Sequence, residues 1–199
     1  CFGAATKFSQ LHLDADKTYE ATVLLGVKTS TGDAEGEVIE QRPVPDITPE
    51  RLAEVARQFT GEQRQVPPMH SALKRDGRAL YEYAREGIEI GREARDVTVF
   101  ELDLALSRTG TDQPTIKMIA KVSKGTYIRT LGEDIGEALG CGAHLTSLRR
   151  VATGPFEVSQ CVTLGGLEAM DEAQRLASLK PVAALLPDHA PVTLDADNA

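Results

Sequence analysis

The side chains best suited to chemistry lie in one basic segment, Lys117–Leu131, with the sequence KMIAKVSKGTYIRTL. Four cationic side chains and one tyrosine surround a glycine there, and the segment contains no Asp or Glu. The whole chain is acidic, with 30 Asp and Glu against 22 Lys and Arg and a formal net charge of −8. A negatively charged partner must therefore bind at a local patch such as this one, because the overall field repels it.

The spacing of apolar residues changes inside this segment. From residue 116 to residue 122 every second residue is apolar, which predicts a strand with one buried face and its lysines on the other. After Arg129, the apolar residues Leu131, Ile135 and Leu139 recur every fourth position until Gly140, which predicts a helix. The segment is therefore interpreted as a strand, a glycine turn and a helix.

Arg129 stands where the predicted helix begins. A strand-to-helix junction exposes backbone N–H groups, so an arginine there can bind a carboxylate or phosphate with two parallel hydrogen bonds. An ordinary surface arginine is the alternative, and spacing alone does not decide. Tyr127 lies two residues earlier, so in an extended segment both side chains share one face. Two roles are open for the Tyr127 side chain: it transfers a proton, or it only packs.

The motif SKGTYIRTL at Ser123–Leu131 resembles the signature of the bacterial tRNA pseudouridine synthase B (TruB) family. That family isomerises a uridine in the T loop of tRNA. Five ordered blocks are far more specific than one short motif, and together they span most of the chain, from Cys1 to Leu164. The four further blocks are LDADKTY at Leu13–Tyr19, TGDAEG at Thr31–Gly36, QVPPMHSALK at Gln65–Lys74 and GCGAHLTSLRR at Gly140–Arg150.

The resemblance implies specific roles at the catalytic centre. Arg129 pairs with a catalytic aspartate and keeps it ionised. Tyr19 stacks on the flipped base, although alternation from Thr18 to Val27 also fits a core strand tyrosine. Leu148 forms an apolar wall of the uracil pocket, and Lys17 is a further substrate-binding candidate. The reaction needs no cofactor if the base stays in the pocket.

An exposed arm follows the Pro67-Pro68 pair, which fits neither a helix interior nor a central strand. A solvated basic loop is the plain interpretation of its charge. The resemblance identifies it as the start of a thumb insertion at about residues 62–95 and favours RNA contact. The RNA-binding candidates are His70, Lys74, Arg78 and Lys124.

One part of the family pattern is missing from the 199 residues. The family's nucleophile is an aspartate in a Gly-Thr-Leu-Asp-Pro type segment, and no such segment occurs here. We expect it to precede Cys1, and we assign none of Asp14, Asp16 or Asp33 in its place. We also expect that almost none of the family's small C-terminal RNA-binding domain is present. The chain alone is then predicted to be inactive.

The length and composition favour one dominant α+β domain with a mixed, mainly antiparallel sheet, flanking helices and the thumb insertion. The predicted catalytic domain covers residues 1–165, and residues 166–199 form a C-terminal extension. Thr48 and Pro49 mark the start of one helix.

Three cysteines without a C-x-x-C pair and four scattered histidines indicate neither a disulfide framework nor a metal site. No apolar run approaches the roughly 20 residues of a membrane span. We expect a cytoplasmic monomer that binds the T-arm of tRNA. A non-catalytic RNA-binding module is the first alternative, and an unrelated acidic interaction domain is the second.

Overall fold

The computed structural model describes residues 1–107 and 114–186. The chain divides into two compact units, one of residues 16–151 and one that combines residues 1–15 with those from 152 onward. The predicted division near residue 165 stays a prediction, and the end of the predicted extension, residues 187–199, lies outside the described residues. All the residues proposed above for catalysis and RNA binding belong to the first unit.

The elements are numbered along the whole chain. The strands are β1 (Lys17–Leu25), β2 (Val27–Thr29), β3 (Val38–Gln41), β4 (Gly61–Gln65), β5 (Lys74–Arg75), β6 (Arg78–Ala79), β7 (Arg95–Ser107), β8 (Thr115–Val122), β9 (Ala143–Thr153) and β10 (Phe156–Glu157). The α-helices are α1 (Ser9–Leu13), α2 (Pro49–Phe59), α3 (Leu80–Arg85), α4 (Ile128–Ala138), α5 (Leu164–Ala169) and α6 (Glu172–Ala177).

The main sheet of the first unit has the strand order β9-β1-β8-β7-β4. The pairs β1/β8, β8/β7 and β7/β4 are all antiparallel. Buried apolar residues alternate with more exposed residues along the strands. Val23 and Leu25 in β1, and Ile116 and Met118 in β8, are buried. The predicted α+β class with a mainly antiparallel sheet is confirmed, and so is the placement of the β8 lysines opposite its buried face.

Two helices complete the core of this unit. In α2, the Thr48 hydroxyl accepts a hydrogen bond from the Arg51 N–H at 3.2 Å, and Pro49 occupies the first turn, as predicted. In α4, the closest approach to β9 lies at Gly136, where an added Cβ would come within 2.4 Å of the Ala143 Cβ. Only glycine permits that approach, so Gly136 allows α4 to lie close against β9.

The thumb segment differs in one respect from the predicted extended arm. Residues 74–79 form a hairpin in which β5 pairs with β6 around Asp76 and Gly77, both with positive φ (52° and 82°). An Asp-Gly pair favours this tight turn, but strands of two residues are too short to show an alternating pattern. Helix α3 follows the hairpin directly.

The second unit is built from short elements. A 3-10 helix at Gly3–Phe8 leads into α1, and β10 pairs antiparallel with Ala152 and Thr153 at the end of β9. The His12 Nε2–H donates to the Leu185 carbonyl at 3.2 Å, and the His12 ring lies 5.2 Å from that of Phe156. Helices α5 and α6 follow, and α6 begins with a reciprocal capping box.

Two features are absent from residues 1–107 and 114–186. Among these residues there is no helix with the length and apolarity that a membrane span requires. The same residues include no group of three or more His, Cys, Asp or Glu side chains placed to hold a metal ion.

Candidate active site around Arg129

The strand, glycine turn and helix predicted around Arg129 are present. Strand β8 ends at Val122, Gly125 takes a φ of +83°, and α4 begins at Ile128. The Ser123 hydroxyl accepts from the Thr98 N–H at 2.8 Å, which ties the turn to β7. Arg129 is therefore the second residue of α4 and starts from a backbone that the sheet holds in place.

Two segments that are distant in sequence supply the partners of the Arg129 guanidinium: the turn at Thr31–Gly36, called the acidic turn below, and the start of the thumb segment. Nη1 donates to the Thr31 carbonyl and to Asp33 Oδ2, both at 3.1 Å. Nη2 donates to the His70 carbonyl at 2.5 Å. The side chain is only 21 % exposed. Arg129 therefore joins the acidic turn and the start of the thumb segment to α4.

Asp33 is held as an anion by several donors. The Thr31 hydroxyl donates to Asp33 Oδ1 at 2.6 Å, and the Glu35 N–H donates to the same oxygen at 3.1 Å. Burial alone raises the pKa of Asp33, but these hydrogen bonds and the charge of Arg129 outweigh it, so the pKa lies below its ordinary value. The result is an ionised, partly buried carboxylate paired with the arginine.

Sequence reasoning missed this pairing. Asp33 lies in the block TGDAEG at Thr31–Gly36, yet no spacing rule relates it to an arginine 96 residues away. The only local signal was the Thr-x-Asp pattern, which is typical of a turn closed by side-chain hydrogen bonds.

The acidic turn also packs closely against α4. Gly32 has a φ of +74°, and a Cβ added there would lie 2.9 Å from Glu133 Oε2. Glu133 is four residues after Arg129 and lies on the same side of α4. It is half-buried, and this burial raises the pKa of its carboxyl group. On the other side, the Leu145 N–H donates to the Gly32 carbonyl at 3.0 Å, so the turn is held between α4 and β9.

The side-chain amide of Gln65 binds the backbone just before Arg129. Its Nε2 donates to the Tyr127 carbonyl at 3.1 Å, and its Oε1 accepts from the Tyr127 N–H at 2.7 Å. Gln65 ends β4 and is 6 % exposed. Sequence reasoning placed it in the thumb block but gave it no role.

The extended conformation predicted from Tyr127 through Arg129 is wrong. Tyr127 is extended, with φ −95° and ψ 110°, but Ile128 and Arg129 are already helical. Residues two apart in a helix do not face each other, so the argument that both side chains share one face fails. The catalytic role suggested for Tyr127 stays a prediction on the resemblance alone.

The substrate-binding candidates lie along the sheet. Tyr19 is paired in register with Ala120 and packs, partly buried, against the hydrophobic core. Leu148 in β9 is 48 % exposed, and Lys17 is the first residue of β1. These positions are compatible with both interpretations of Tyr19, and the roles of all three residues stay predictions.

The RNA-binding candidates fall into two environments. Lys74 in β5 and Lys124 in the glycine turn are exposed. Arg78 is bound by the carboxylates of Glu82 and Glu86, and its guanidinium lies 4.5 Å from the centre of the Tyr83 ring. His70 meets Arg129, but through its backbone carbonyl. The contacts thus join His70 to Arg129, whereas Arg78 is already neutralised within the thumb.

The fold and the site together define a class of protein. A chain of a solved Cbf5-Nop10-Gar1 complex is 26% identical, with a TM-score of 0.62, over 90% of this chain and 46% of that chain. A chain of an H/ACA RNP bound to a substrate RNA containing 2'-deoxyuridine is 22% identical, with a TM-score of 0.58, over 90% and 44%, and supports the fold alone. The architecture is that of the pseudouridine synthases.

Sequence comparison narrows the class to one family. The model of the TruB family pseudouridylate synthase N-terminal domain matches residues 1–128, and that of the tRNA pseudouridylate synthase B C-terminal domain matches residues 129–187. The chain belongs to the TruB family, as its motifs predicted. The second match starts at Arg129, so this C-terminal domain model covers part of the predicted catalytic domain, residues 1–165. The expectation that almost none of the small C-terminal RNA-binding domain is present stays a prediction.

Curated relatives are similar to this chain over its whole length. The tRNA pseudouridine synthase B of Verminephrobacter eiseniae (strain EF01-2) is 58% identical over 100% of this chain and 61% of the relative. That of Ralstonia pickettii (strain 12J) is 55% identical over 100% of this chain and 62% of the relative. The chain thus spans about three fifths of the length of these relatives. The segment expected before Cys1 stays a prediction.

Proposed function

We propose that the protein to which this chain belongs isomerises uridine to pseudouridine in tRNA, at the T-loop position 55. The names of the curated relatives support the reaction and the class of RNA. The position in the T loop rests on the resemblance of the sequence motifs. The observation that carries the proposal within the structure is the arrangement of donors on Arg129.

The guanidinium of Arg129 has hydrogen-bonding capacity for a second carboxylate. An arginine side chain carries five N–H bonds, and the described residues accept three hydrogen bonds from it. The Nε hydrogen and one Nη2 hydrogen have no acceptor among the described contacts. Such a pair forms a fork that suits a carboxylate. Asp33 therefore positions the arginine, and the fork is available for the nucleophilic aspartate.

We propose that this aspartate belongs to a segment outside the 199 residues. The adjacent cation holds it ionised and oriented. The N-glycosidic bond of uridine breaks, the base turns, and a bond forms from C5 to the ribose carbon. The C5 hydrogen leaves as a proton and N1 gains one, so the reaction is redox-neutral and needs no cofactor.

The remaining residues act on the flipped base. Tyr19 stacks on the ring, a contact worth roughly 1–3 kcal/mol that tolerates a turning base. Leu148 forms an apolar wall of the pocket, and Tyr127 lines it or transfers a proton.

The T-arm is held by the thumb segment and the glycine turn. Bases in an RNA loop are open to recognition by an inserted protein segment. The exposed ammonium groups of Lys74 and Lys124 bind phosphates, and Lys17 and His70 add contacts nearer the base. We propose that the protein acts as a monomer in the cytoplasm.

Tritium release from a T-arm stem-loop labelled at uridine C5 tests the proposal. The chain is compared with a form extended at its amino end to include the aspartate segment found in the family. We expect release from the extended form alone. Release from neither form, with folding and RNA binding verified, would favour a non-catalytic RNA-binding module. Release from the 199-residue chain would show that the nucleophile lies within it.

A further inference from the structure

Gln65 is a buried polar residue, and the described hydrogen bonds of its side chain all go to one residue, Tyr127. Its amide makes a reciprocal pair of hydrogen bonds with the backbone of Tyr127, at 2.7 and 3.1 Å. The two residues are 62 positions apart, and Gln65 comes from β4, at the far end of the sheet order from β9. Such a pair fixes both the position and the orientation of one peptide group.

The junction that Gln65 holds has no side-chain cap at the start of α4. Most helix starts are closed by a side chain of the first residues, but the N-cap residue of α4 is Tyr127, which makes no side-chain capping bond. The Tyr127 carbonyl accepts the first helical hydrogen bond, from the Leu131 N–H at 3.0 Å, as well as the bond from Gln65. The direction in which α4 begins therefore depends on a residue of another element.

The same short segment also contacts Arg129 itself. Gln65 and His70 are five residues apart, and the His70 carbonyl accepts from Arg129 Nη2. Pro67 and Pro68 lie between them and restrict the backbone that joins the two contacts. The stretch from Gln65 to His70 thus holds the backbone before Arg129 at one end and its guanidinium at the other.

We infer that Gln65 is a positioning residue for the isomerisation, acting through Tyr127 to set the place of Arg129. The inference rests on the proposed function. Arg129 must present its remaining N–H fork to a carboxylate, and a misplacement of about 1 Å at a catalytic group can cost roughly 100-fold in rate. A glutamine that only stabilised the fold would affect the amount of folded protein and leave the kcat of the folded fraction unchanged.

The first test does not depend on activity. NMR of the 199-residue chain compares Gln65→Leu, which removes both hydrogen bonds at similar volume, with Val55→Ala, a core substitution in α2. We expect faster amide exchange at Tyr127 and a shifted Arg129 Nε signal in Gln65→Leu only. An Arg129 signal that is unchanged in Gln65→Leu, or shifted equally by Val55→Ala, would overturn the inference.

The second test measures turnover on tRNA in the extended form. Relative to Val55→Ala, we expect Gln65→Leu to lower kcat roughly 10- to 100-fold and to change KM by less than about twofold. A raised KM with normal kcat would instead make Gln65 an RNA-binding residue and refute the positioning role. If the unaltered extended form itself shows no turnover, the proposed function fails, and the NMR result alone decides the role of Gln65.

Gln65→Glu supplies a readout that a general stability role would not move. A protonated glutamic acid can accept from the Tyr127 N–H and donate to the Tyr127 carbonyl, as glutamine does, whereas the ionised form faces that carbonyl with a second acceptor. We expect the kcat of Gln65→Glu relative to the unaltered enzyme to rise several-fold as the pH falls from about 8 to about 6, because burial raises a carboxyl pKa. A pH-independent ratio would contradict the reciprocal hydrogen-bond pair.

Discussion

Arg129 and Arg78 were both predicted to bind anions, and both pair with carboxylates, but their partners differ in origin. The partners of Arg129 lie 59 to 98 residues away along the chain. Those of Arg78 lie four and eight residues away, within the thumb. The first arrangement exists only when the whole unit has folded, whereas the second stabilises a local hairpin and helix. The role of a cationic residue in a motif therefore depends on which groups it binds, and the structure is needed to identify those groups.

The largest effect is expected from Arg129→Lys in the extended form. Lysine keeps the charge but loses the planar guanidinium that binds the Asp33 carboxylate and two carbonyls at once and, in the proposed function, the nucleophilic aspartate. We expect kcat for tritium release to fall by at least roughly 100-fold, comparable to the loss of a positioned donor in other active sites. Arg51→Lys is the matched control, because Arg51 also binds a carboxylate and a carbonyl, those of Glu54 and Ala138. Equal losses in the two variants would contradict a special role for Arg129.

A smaller effect is expected from Asp33→Asn, which keeps the shape of the turn but removes the charge that faces Arg129. We expect kcat to fall about 10-fold, since Arg129 keeps its two carbonyl partners. The free energy of unfolding at pH 7 should fall by roughly 1 to 3 kcal/mol, the usual value for a hydrogen bond to a charged group. Normal kcat in this variant would show that Asp33 does not position the arginine.

Acid should reduce the difference in stability between Asp33→Asn and the unaltered chain. The folded-state pKa of Asp33 lies below its ordinary value of 3.8, so the ionised form stabilises the fold above that value, and this stabilisation is lost as the pH falls through the folded pKa. Urea unfolding between pH 7 and pH 3 measures it. Asp96→Asn is the control, because Asp96 is 93 % exposed beside Arg64 and its pair contributes little. A difference that stays constant with pH would refute the ion pair.

Gly32→Ala should have an intermediate effect on stability and a weak one on activity. A residue other than glycine at φ +74° costs about 1 to 3 kcal/mol, and the new Cβ also meets the Glu133 carboxylate. Gly87→Ala is the matched control, with a φ of +71° and nothing within 4 Å of the added Cβ. We expect Gly32→Ala to be the more destabilising in urea unfolding, and Glu133→Ala to remove the excess. Equal values for the two glycine substitutions would exclude the packing of the turn on α4.

The smallest effects concern the thumb and distinguish two of its cationic residues, Lys74 and Arg78. If Lys74 contacts a phosphate, Lys74→Ala should reduce the slope of log K against log salt concentration for T-arm binding by about 0.7 to 0.9. Arg78→Ala should leave the slope unchanged, because Glu82 and Glu86 already neutralise that guanidinium. A lower slope in Arg78→Ala would show that RNA displaces the two carboxylates, and an unchanged slope in Lys74→Ala would remove this lysine from the interface.

Local sequence patterns were sufficient to predict some elements of the fold and not others. The alternation in β8 and the Thr48-Pro49 start of α2 predicted those elements, because each depends on residues close together in the chain. The tight hairpin β5–β6 and the early start of α4 at Ile128 were missed. The hairpin strands are too short to show a period, and the start of α4 is fixed by Gln65, which lies outside the helix.

The sequence by itself determined the family and the α+β class and singled out Arg129 as the candidate catalytic residue, because ordered motifs and local periods are properties of neighbouring residues. The tertiary structure alone decided that Asp33 and the His70 carbonyl bind Arg129 and that Gln65 holds the peptide before it. Each of these contacts joins residues at least 59 positions apart. Hydrogen bonds between distant segments depend on sheet order and helix packing, and no local pattern specifies which donor meets which acceptor.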